Sequence, residues 1–329
     1  MAILVTGAAG FIGMHAAHAL LARGEEVIGV DSLNDYYDPA LKQARLARLQ
    51  AASGFTFLPI DIADRDAVAG LAARFPTIDR ILHLAAQAGV RYSLENPFAY
   101  VDSNLVGQVT IMELARRLAA RPDGLRGLVY ASSSSVYGAN RDLPYAVEQA
   151  TDSPVSFYGA TKKAGEILVQ SYAHLYGVAA TGLRFFTVYG PWGRPDMSPW
   201  LFTSAIIEGR PIKVFNNGRM KRDFTYIDDI VAGVLAALDH PPAADDGPPH
   251  RVYNLGNHRP VNLLDYIAVI ERACQKKAVL DLHPMQPGDV LETYADIDAS
   301  ARDLGFAPTT AIEEGIPRFV DWYKSYFNV

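Results

Sequence analysis

Apolar and polar positions alternate in two lengths along the first half of the chain. Short, almost wholly apolar runs predict strands at 3–6, 26–30, 55–60, 80–85, 127–131 and 179–185. Longer amphipathic stretches between them predict helices at 11–24, 64–75, 104–120 and 158–177. Strands without a polar face must be covered on both sides, so the pattern predicts an α/β fold with a doubly wound parallel sheet.

The alternation ends after about residue 186, where proline and glycine become frequent, as in YGPWGRPDMSP. This change predicts a smaller α/β substrate-binding domain at the C-terminus. A helical pattern at 226–240 indicates a return to the first domain, and the composition of 240–251 is typical of a surface loop. We therefore expect one domain of 1–185 with about 225–254, and a second of 186–224 and 255–329.

The first strand leads into TGAAGFIG (6–13), which opens a helix. Gly7, Gly10 and Gly13 at this spacing allow a tight turn, close approach of a pyrophosphate and close helix packing. Asp31 ends the second strand, where a carboxylate binds the two ribose hydroxyls of a dinucleotide and repels a 2′-phosphate. The pattern predicts a nucleotide site that prefers NAD to NADP.

Two acidic or polar strand ends leave alternatives open. Asp61 and Ile62 close the third strand, where the carboxylate either meets an adenine amino group or caps the next helix. Ser132 to Ser135 close the fifth strand, where each hydroxyl either faces a ligand or bonds the local backbone.

Tyr158 and Lys162 lie one turn apart on a predicted helix and share a face. An ammonium beside a phenol favours the phenolate, so we expect Lys162 to lower the pKa of Tyr158. Such a tyrosine can remove a proton from a sugar hydroxyl and later return it. As an isolated pair these residues are ordinary on helix surfaces; the glycine motif and the serine run favour a catalytic role.

These motifs resemble the extended short-chain dehydrogenase/reductase superfamily, which builds on a Rossmann fold. The resemblance rests on TGAAGFIG, Asp31, LAAQAGVR (84–91), Asn104, SSSSVYG (132–138) and YGATK (158–162), and the nucleotide-sugar branch is matched at 184–197, 213–216, 222–229, 253–257 and 286–296. DSLNDYYDPALKQARL (31–46) together with GPWGRPDM (190–197) is most similar to UDP-glucuronate 4-epimerases.

The resemblance implies tightly bound NAD, a UDP-sugar substrate and C4 epimerisation through a 4-keto intermediate. It implies catalytic roles for Tyr158, Lys162 and Ser133. The cofactor residues it implies, beyond those named from the pattern, are Phe11, Ile12, Asn34, Leu84, Ala85, Ala86, Gln87 and Asn104. The substrate residues it implies are Arg91, Ser133, Ser134, Ser135, Thr187, Arg194, Lys213, Val214, Phe215, Asn216, Arg222 and Asp289.

Comparison within that superfamily also separates related reactions. Dehydratases carry an Asp-Glu pair before VYG and decarboxylases carry a Glu there, whereas this chain has Ser134 and Ser135. Arg194 can hold a carboxylate through two hydrogen bonds, with Thr187 adding a hydroxyl. The alternatives are a surface role for Arg194, a UDP-galactose 4-epimerase, a UDP-glucuronate decarboxylase, and a non-catalytic NAD-sensing protein.

Composition excludes several other classes. A formal net charge of -6 is mild and argues against nucleic acid or a membrane surface as partner. The single cysteine, Cys274, fits a reducing cytoplasm, and no apolar run is long enough to cross a bilayer. His15 and His18 share a helix face without further ligands, so no metal site is expected.

The resemblance implies a homodimer through helices at 97–120 and 155–176.

Overall fold

The computed structural model describes residues 1–244, 247–285 and 291–329. Within these ranges the strands are Ala2–Thr6 (β1), Glu26–Val30 (β2), Phe55–Leu58 (β3), Ile78–His83 (β4), Gly127–Ser133 (β5), Ala180–Phe185 (β6), Thr187–Tyr189 (β7), Pro211–Val214 (β8), Lys221–Tyr226 (β9), His250–Leu255 (β10), Pro260–Asn262 (β11) and Val279–Leu282 (β12). The α-helices are Phe11–Ala22 (α1), Pro39–Gln50 (α2), Arg65–Arg74 (α3), Tyr92–Glu95 (α4), Pro97–Tyr100 (α5), Gly107–Ala119 (α6), Phe157–Tyr176 (α7), Ser198–Glu208 (α8), Ile227–Asp239 (α9), Leu263–Cys274 (α10), Asp298–Leu304 (α11) and Ile312–Phe327 (α12).

The main sheet has seven parallel strands in the order β10-β6-β5-β4-β1-β2-β3. Alternate residues of β1 enter two separate apolar cores, as expected when successive side chains of a strand point to opposite faces. Ile3 packs in the core that contains α1 and α9, whereas Leu4 packs in the core that contains α6. The predicted doubly wound α/β fold is confirmed.

Several boundaries differ from the sequence prediction, and three of the differences concern the main sheet most directly. β3 ends at Leu58, before Ile60, and β4 spans Ile78–His83 instead of 80–85. The predicted loop at 240–251 is wrong at its end, because His250 pairs in parallel with Ala180 at the edge of the main sheet. Composition misses this pairing since an edge strand depends on its neighbour more than on its own residues.

Helix α2 has no counterpart in the predicted elements. Asp38 caps it by accepting a hydrogen bond from the backbone N–H of Ala40, and Pro39 opens its first turn, where a missing N–H costs little. Its buried face carries Lys42 and Arg45 among leucines, so the apolar periodicity is weak. Helix α2 lies between the nucleotide loop and the segment after β7, which brings two distant parts of the chain together.

The C-terminal residues form a smaller layer over the carboxyl edge of the main sheet. It contains a three-stranded sheet of β11, β9 and β7 and a parallel pair of β12 and β8, with α8, α10 and α12 packed around them. Strand β10 belongs to the main sheet and α9 packs on α1. Among the described helices, none combines the length and apolarity that a membrane crossing requires.

Candidate active site

A cleft of about 1110 Å³ lies between the carboxyl edge of the main sheet and the C-terminal layer. Open parallel sheets bind ligands at this edge. The volume slightly exceeds the roughly 300–1,000 Å³ of a typical small-molecule pocket, as a large ligand requires.

The glycine loop forms one wall, and its geometry tolerates no side chain at Gly7 or Gly13. Gly7 has φ +72°, and a Cβ there would lie 2.7 Å from the backbone nitrogen of Ala85. A Cβ at Gly13 would lie 2.0 Å from the carbonyl oxygen of Gly7. Helix α1 begins at this turn without a side-chain cap, so its first N–H groups are available to an anion in the cleft.

Asp31 is buried beside this loop at the end of β2. Its carboxylate accepts hydrogen bonds from the backbone N–H groups of Ala9 (3.1 Å) and Leu33 (2.9 Å), which fixes its orientation toward the cleft wall. Lys42 lies next to it and donates its Nζ to the carbonyl and side-chain oxygens of Asn34, at 2.8 and 2.5 Å. Burial lowers the pKa of Lys42, which Asp31 partly offsets.

Asp61 lines the same wall but does not cap a helix. Its side chain accepts from the N–H of Ala63 at 2.9 Å, a local turn, and Ile62 packs beside it. The cap of α3 is Asp64, which accepts from the N–H groups of Asp66 and Ala67. The capping alternative is therefore wrong, because the helix begins three residues later than that alternative requires.

The loop after β4 carries Leu84, Ala85, Ala86 and Gln87 to the cleft wall. Asn104, predicted as a cofactor residue, lies behind this wall. Its Oδ1 accepts from the N–H of Gln87 at 2.9 Å, and its Nδ2 donates to the carbonyl of Gln87 and to the hydroxyl of Thr161. These bonds occupy the amide, so the structure makes Asn104 a support of the loop instead of a wall residue.

Tyr158 occupies the centre of the cleft, at the N-terminus of α7. Burial raises the pKa of Tyr158, while the Arg194 guanidinium and a hydrogen bond with Ser133 act in the lowering direction and Asp196 acts in the raising direction. The phenol ring lies edge-on to Tyr100, with centroids 6.0 Å apart. Tyr158 therefore lies close to both Ser133 and Arg194.

Lys162 follows Tyr158 by one turn and is buried. Its Nζ donates to the carbonyl oxygen of Ala131 at 2.9 Å, and burial lowers its pKa to about 8. The sequence predicts that Lys162 lowers the pKa of Tyr158, but in this structure burial dominates and the pKa of Tyr158 is raised. The lowering influences come from Arg194 and Ser133.

The four serines separate into two environments. Ser132 donates to Glu166 at 2.6 Å in a buried network with Arg184, so neither sequence alternative describes it fully. All four serines line the cleft, and the Ser133 hydroxyl accepts from the backbone N–H of Ser135 at 3.2 Å. The Ser132 hydroxyl thus anchors the strand to α7, and the Ser133 hydroxyl holds the turn that follows it.

Arg194 reaches the cleft from the loop after β7, beside Thr187. Its Nε donates to Asp196 Oδ1 at 3.0 Å and its Nη2 to Oδ2 at 2.5 Å. Asp196 also accepts from the hydroxyl of Tyr36 at 3.1 Å. Burial lowers the pKa of Arg194, but the Asp196 carboxylate raises it above its usual value. Burial raises the pKa of Asp196, but the Arg194 guanidinium holds it below its usual value.

The outer end of the cleft contains part of the predicted substrate set. Arg91 lies over the ring of Phe215, 5.2 Å from its centroid, and Lys213 is exposed nearby. In the described part of the chain Val214, Asn216 and Arg222 do not line the cleft: Val214 is buried, Asn216 donates to the carbonyl of Arg219, and Arg222 donates to the carbonyls of Lys221 and Leu291. Asp289 lies outside the described residues.

Several cleft residues carry no predicted role. Tyr36, Lys42 and Asp196 line the wall, and Arg45 is buried directly behind it. All but Asp196 belong to 31–46, and Asp196 belongs to 190–197. The sequence signal that could have found these residues is the pair Lys42 and Arg45 on the buried face of α2, because buried charges require partners. Over the described ranges, no group of three or more His, Cys, Asp or Glu side chains could hold a metal ion.

Comparison with known proteins bears on the same segments. Residues 3–256 match the model of the NAD dependent epimerase/dehydratase family. UDP-glucuronate 4-epimerase 4 of Arabidopsis thaliana is 48% identical over 99% of this chain and 76% of its own length. A probable UDP-glucuronate 4-epimerase of Rhizobium meliloti is 46% identical over 100% of this chain and 98% of its own.

Among solved structures, UDP-glucuronic acid 4-epimerase from Bacillus cereus, in complex with UDP-glucuronic acid and NAD, superposes with a TM-score of 0.89 and 34% identity. The similarity covers 99% of this chain and 100% of that one. The fold agrees with these matches, and the family predicted from the sequence is confirmed. The chain belongs to the NAD dependent epimerase/dehydratase family.

Proposed function

We propose that this chain is an isomerase that converts UDP-glucuronate to UDP-galacturonate by NAD-dependent epimerisation at C4. The observation that carries the proposal is the position of Arg194, a carboxylate-binding side chain whose charge acts on the Tyr158 phenol in one cleft. Full-length relatives at 46–48% identity are named for this reaction.

The residues present fit a dinucleotide. A Cβ at Gly7 would clash with the backbone of Ala85, and a Cβ at Gly13 with the carbonyl of Gly7, so these glycines permit the tight turn that leaves the first N–H groups of α1 uncapped for a pyrophosphate. Asp31 is held by two backbone N–H groups and retains acceptor capacity for ribose hydroxyls. Asn34, Asp61, Ile62 and the 84–87 loop complete the proposed cofactor wall.

When bound, NAD would accept the hydride of the sugar C4 and return it to the opposite face. Tyr158 takes the proton of the O4 hydroxyl as C4 becomes a carbonyl, and Ser133 holds the same oxygen by its hydroxyl. The step requires Tyr158 as a phenolate and leaves it as a phenol. The Arg194 charge and the Ser133 hydroxyl favour that phenolate, and we propose that the charge of Lys162, fixed on the carbonyl of Ala131 one turn away, adds to their effect. The 4-keto sugar then turns to present its other face, and Tyr158 returns the proton.

The carboxylate makes this substrate chemically demanding. A 4-keto glucuronate is a β-keto acid, which loses carbon dioxide when the bond from C5 to the carboxylate aligns with the carbonyl π system. We propose that Arg194 and Thr187 hold that bond out of alignment. Arg91, Ser134 and Ser135 bind the sugar, and Lys213, Phe215 and the adjoining Val214 and Asn216 form the UDP end, with Arg222 and Asp289 as further candidates.

The alternatives weighed from the sequence are less well supported. A UDP-galactose 4-epimerase has no use for Arg194, and a decarboxylase has a glutamate where Ser135 stands. A non-catalytic NAD sensor has no need of Tyr158 in the cleft wall with a buried Lys162 one turn away.

One experiment tests the proposed reaction. Purified protein is incubated with UDP-glucuronate and no added cofactor, and the sugar signals are followed by NMR. We expect UDP-galacturonate to accumulate to a constant ratio, because tightly bound NAD is reused within each turnover. Turnover of UDP-galactose but not of UDP-glucuronate would show that the protein is a UDP-galactose 4-epimerase. Bound NAD without turnover of either sugar nucleotide would favour a non-catalytic NAD-sensing protein.

The domain division and the assembly are also proposals. We propose that 1–185 with about 225–254 binds NAD, and that 186–224 and 255–329 bind the nucleotide sugar. A homodimer is supported by an apolar groove of about 730 Å³ on α6 and α7, lined among others by Val109 and Ile167, with Ile167 60% exposed. An Ile167→Glu variant that stays dimeric in light scattering would exclude this face. A cytoplasmic location stays a prediction.

A further inference from the structure

We propose that Asp196 and Tyr36 are positioning residues that fix the plane of the Arg194 guanidinium and thereby suppress decarboxylation of the 4-keto intermediate. The inference rests on the proposed function, because it concerns the carboxylate of that substrate. It assigns a role to Tyr36 and Arg45 in 31–46, two residues that the reaction itself leaves unexplained.

The first observation is the two-point contact between Arg194 and Asp196. Hydrogen bonds of 3.0 Å from Nε and 2.5 Å from Nη2 use two of the five N–H donors of the guanidinium. A planar fork held at two points cannot rotate about its own axis, unlike a group held at one. Three donors remain outside this pair, and Arg194 lines the same cleft as the Tyr158 phenol.

The second observation is that Asp196 is itself held. The Tyr36 hydroxyl donates to Asp196 Oδ2 at 3.1 Å. The ring of Tyr36 packs against that of Tyr92, with centroids 4.8 Å apart. A Cβ at Gly89 would lie 2.5 Å from the Tyr36 hydroxyl, so glycine at that position leaves the space that the hydroxyl needs.

The backbone next to Arg194 is fixed from the same segment. Arg45 is fully buried and donates to the carbonyl oxygen of Trp192 at 2.6 Å and to that of Gly193 at 3.0 Å. Its Nη1 donates to the carbonyl of Ala9, in the glycine loop, at 3.2 Å. The segment 31–46 therefore anchors the side chain of Arg194 through Tyr36 and its backbone through Arg45, both relative to the cofactor wall.

Orientation matters here because the competing reaction depends on an angle. In decarboxylation the C5–carboxylate bond breaks, its electron pair moves to the C4 carbonyl as an enolate, carbon dioxide leaves, and C5 takes a proton from water. The bond breaks only when it lies parallel to the π orbitals. If the Arg194 guanidinium keeps its charge but its plane is no longer fixed, it still binds the carboxylate. It then no longer holds the C5–carboxylate bond at a fixed angle to the carbonyl π orbitals.

The test compares Asp196→Asn and Tyr36→Phe with wild type, using NMR to quantify pentose and galacturonate products and calorimetry to measure UDP-glucuronate binding. Asparagine has the same volume as aspartate but only one side-chain oxygen acceptor, so Arg194 loses one of its two hydrogen bonds to residue 196. We expect the pentose-to-galacturonate ratio to rise about tenfold in Asp196→Asn and about threefold in Tyr36→Phe. Binding should stay within about threefold of wild type or tighten, because one competing carboxylate is removed.

The chain supplies a matched control away from the cleft. Tyr253 donates to Asp303 Oδ2 at 3.1 Å, and Arg302 holds Asp303 through Nε at 2.7 Å and Nη2 at 3.2 Å. Asp303→Asn and Tyr253→Phe thus make the same chemical changes in the same arrangement. Both should leave the product ratio unchanged.

The outcomes separate the inference from the proposed function. If wild type converts UDP-glucuronate and both cleft variants keep its product ratio, Asp196 and Tyr36 do not orient Arg194 and the inference is wrong. If the variants lose binding and turnover together at an unchanged ratio, their role is structural and the inference also fails. If wild type itself does not convert UDP-glucuronate, the proposed function fails first.

Discussion

The Nζ of Lys162 donates to the carbonyl oxygen of Ala131 at 2.9 Å. This bond ties the catalytic helix α7 to the end of β5, directly before Ser132 and Ser133. Burial lowers the pKa of Lys162 from 10.5 to about 8, so at neutral pH the folded protein holds a charge where charge is disfavoured. The charge of Lys162 therefore lowers the free energy of unfolding of the protein at neutral pH.

The first prediction follows from that cost. Lys162→Met should lose nearly all turnover, and at pH 7 its free energy of unfolding should exceed that of wild type by about 1 kcal/mol, because the buried ammonium is gone and only one hydrogen bond is lost. The destabilisation by Lys162 is complete below its folded pKa of about 8 and disappears as the pH rises to its unfolded value of 10.5.

Urea unfolding at several pH values measures this effect. Wild type should gain stability relative to Lys162→Met between pH 8 and 10, since the unfolded chain binds the proton more tightly there. A stability difference that stays constant across this interval would mean that Lys162 is not charged against a burial penalty.

The second prediction concerns Tyr158. Tyr158→Phe should keep the fold and the bound cofactor but lose nearly all turnover, because the ring packs alike and only the proton acceptor is removed. Cofactor content is measured by absorbance after denaturation, and turnover by NMR. A variant within about tenfold of wild-type turnover would show that another group takes the O4 proton.

The third prediction concerns cofactor choice. Asp31→Ala should weaken NAD binding and reduce discrimination against NADP, because the acceptor for the ribose hydroxyls and a repulsive charge are both lost. Titration of cofactor-depleted protein with each dinucleotide measures both effects. Equal behaviour of variant and wild type would remove Asp31 from the ribose site. Asp64→Asn, at the exposed cap of α3, is a suitable control for a lost carboxylate.

The fourth prediction concerns Arg194. Arg194→Ala should raise KM, slow epimerisation and increase the fraction of decarboxylated pentose, because a charge-assisted pair of roughly 1.5–3 kcal/mol is lost and the C5–carboxylate bond is freed. If the decarboxylated 4-keto product leaves before the hydride is returned, the cofactor remains as NADH, which is measured by its absorbance. Unchanged affinity with an unchanged product ratio would reopen UDP-galactose as the substrate.

Much of the cofactor wall was predictable because its determinants are local. The spacing of Gly7, Gly10 and Gly13 and the pair Tyr158 and Lys162 each lie within one turn or helix, so sequence order fixes their geometry. The apolar runs fixed the sheet in the same way, except at β10, where pairing with β6 overrides a loop-like composition.

The sequence by itself therefore determined the fold and the family, and it predicted the groups proposed to carry the chemistry. Only the tertiary structure decided how Arg194 is held, because Tyr36 and Asp196 are separated by 160 positions and Arg45 and Trp192 by 147. It also decided that the pKa of Tyr158 is raised and that of Lys162 lowered, since burial is the largest influence on each pKa and depends on everything packed around the cleft.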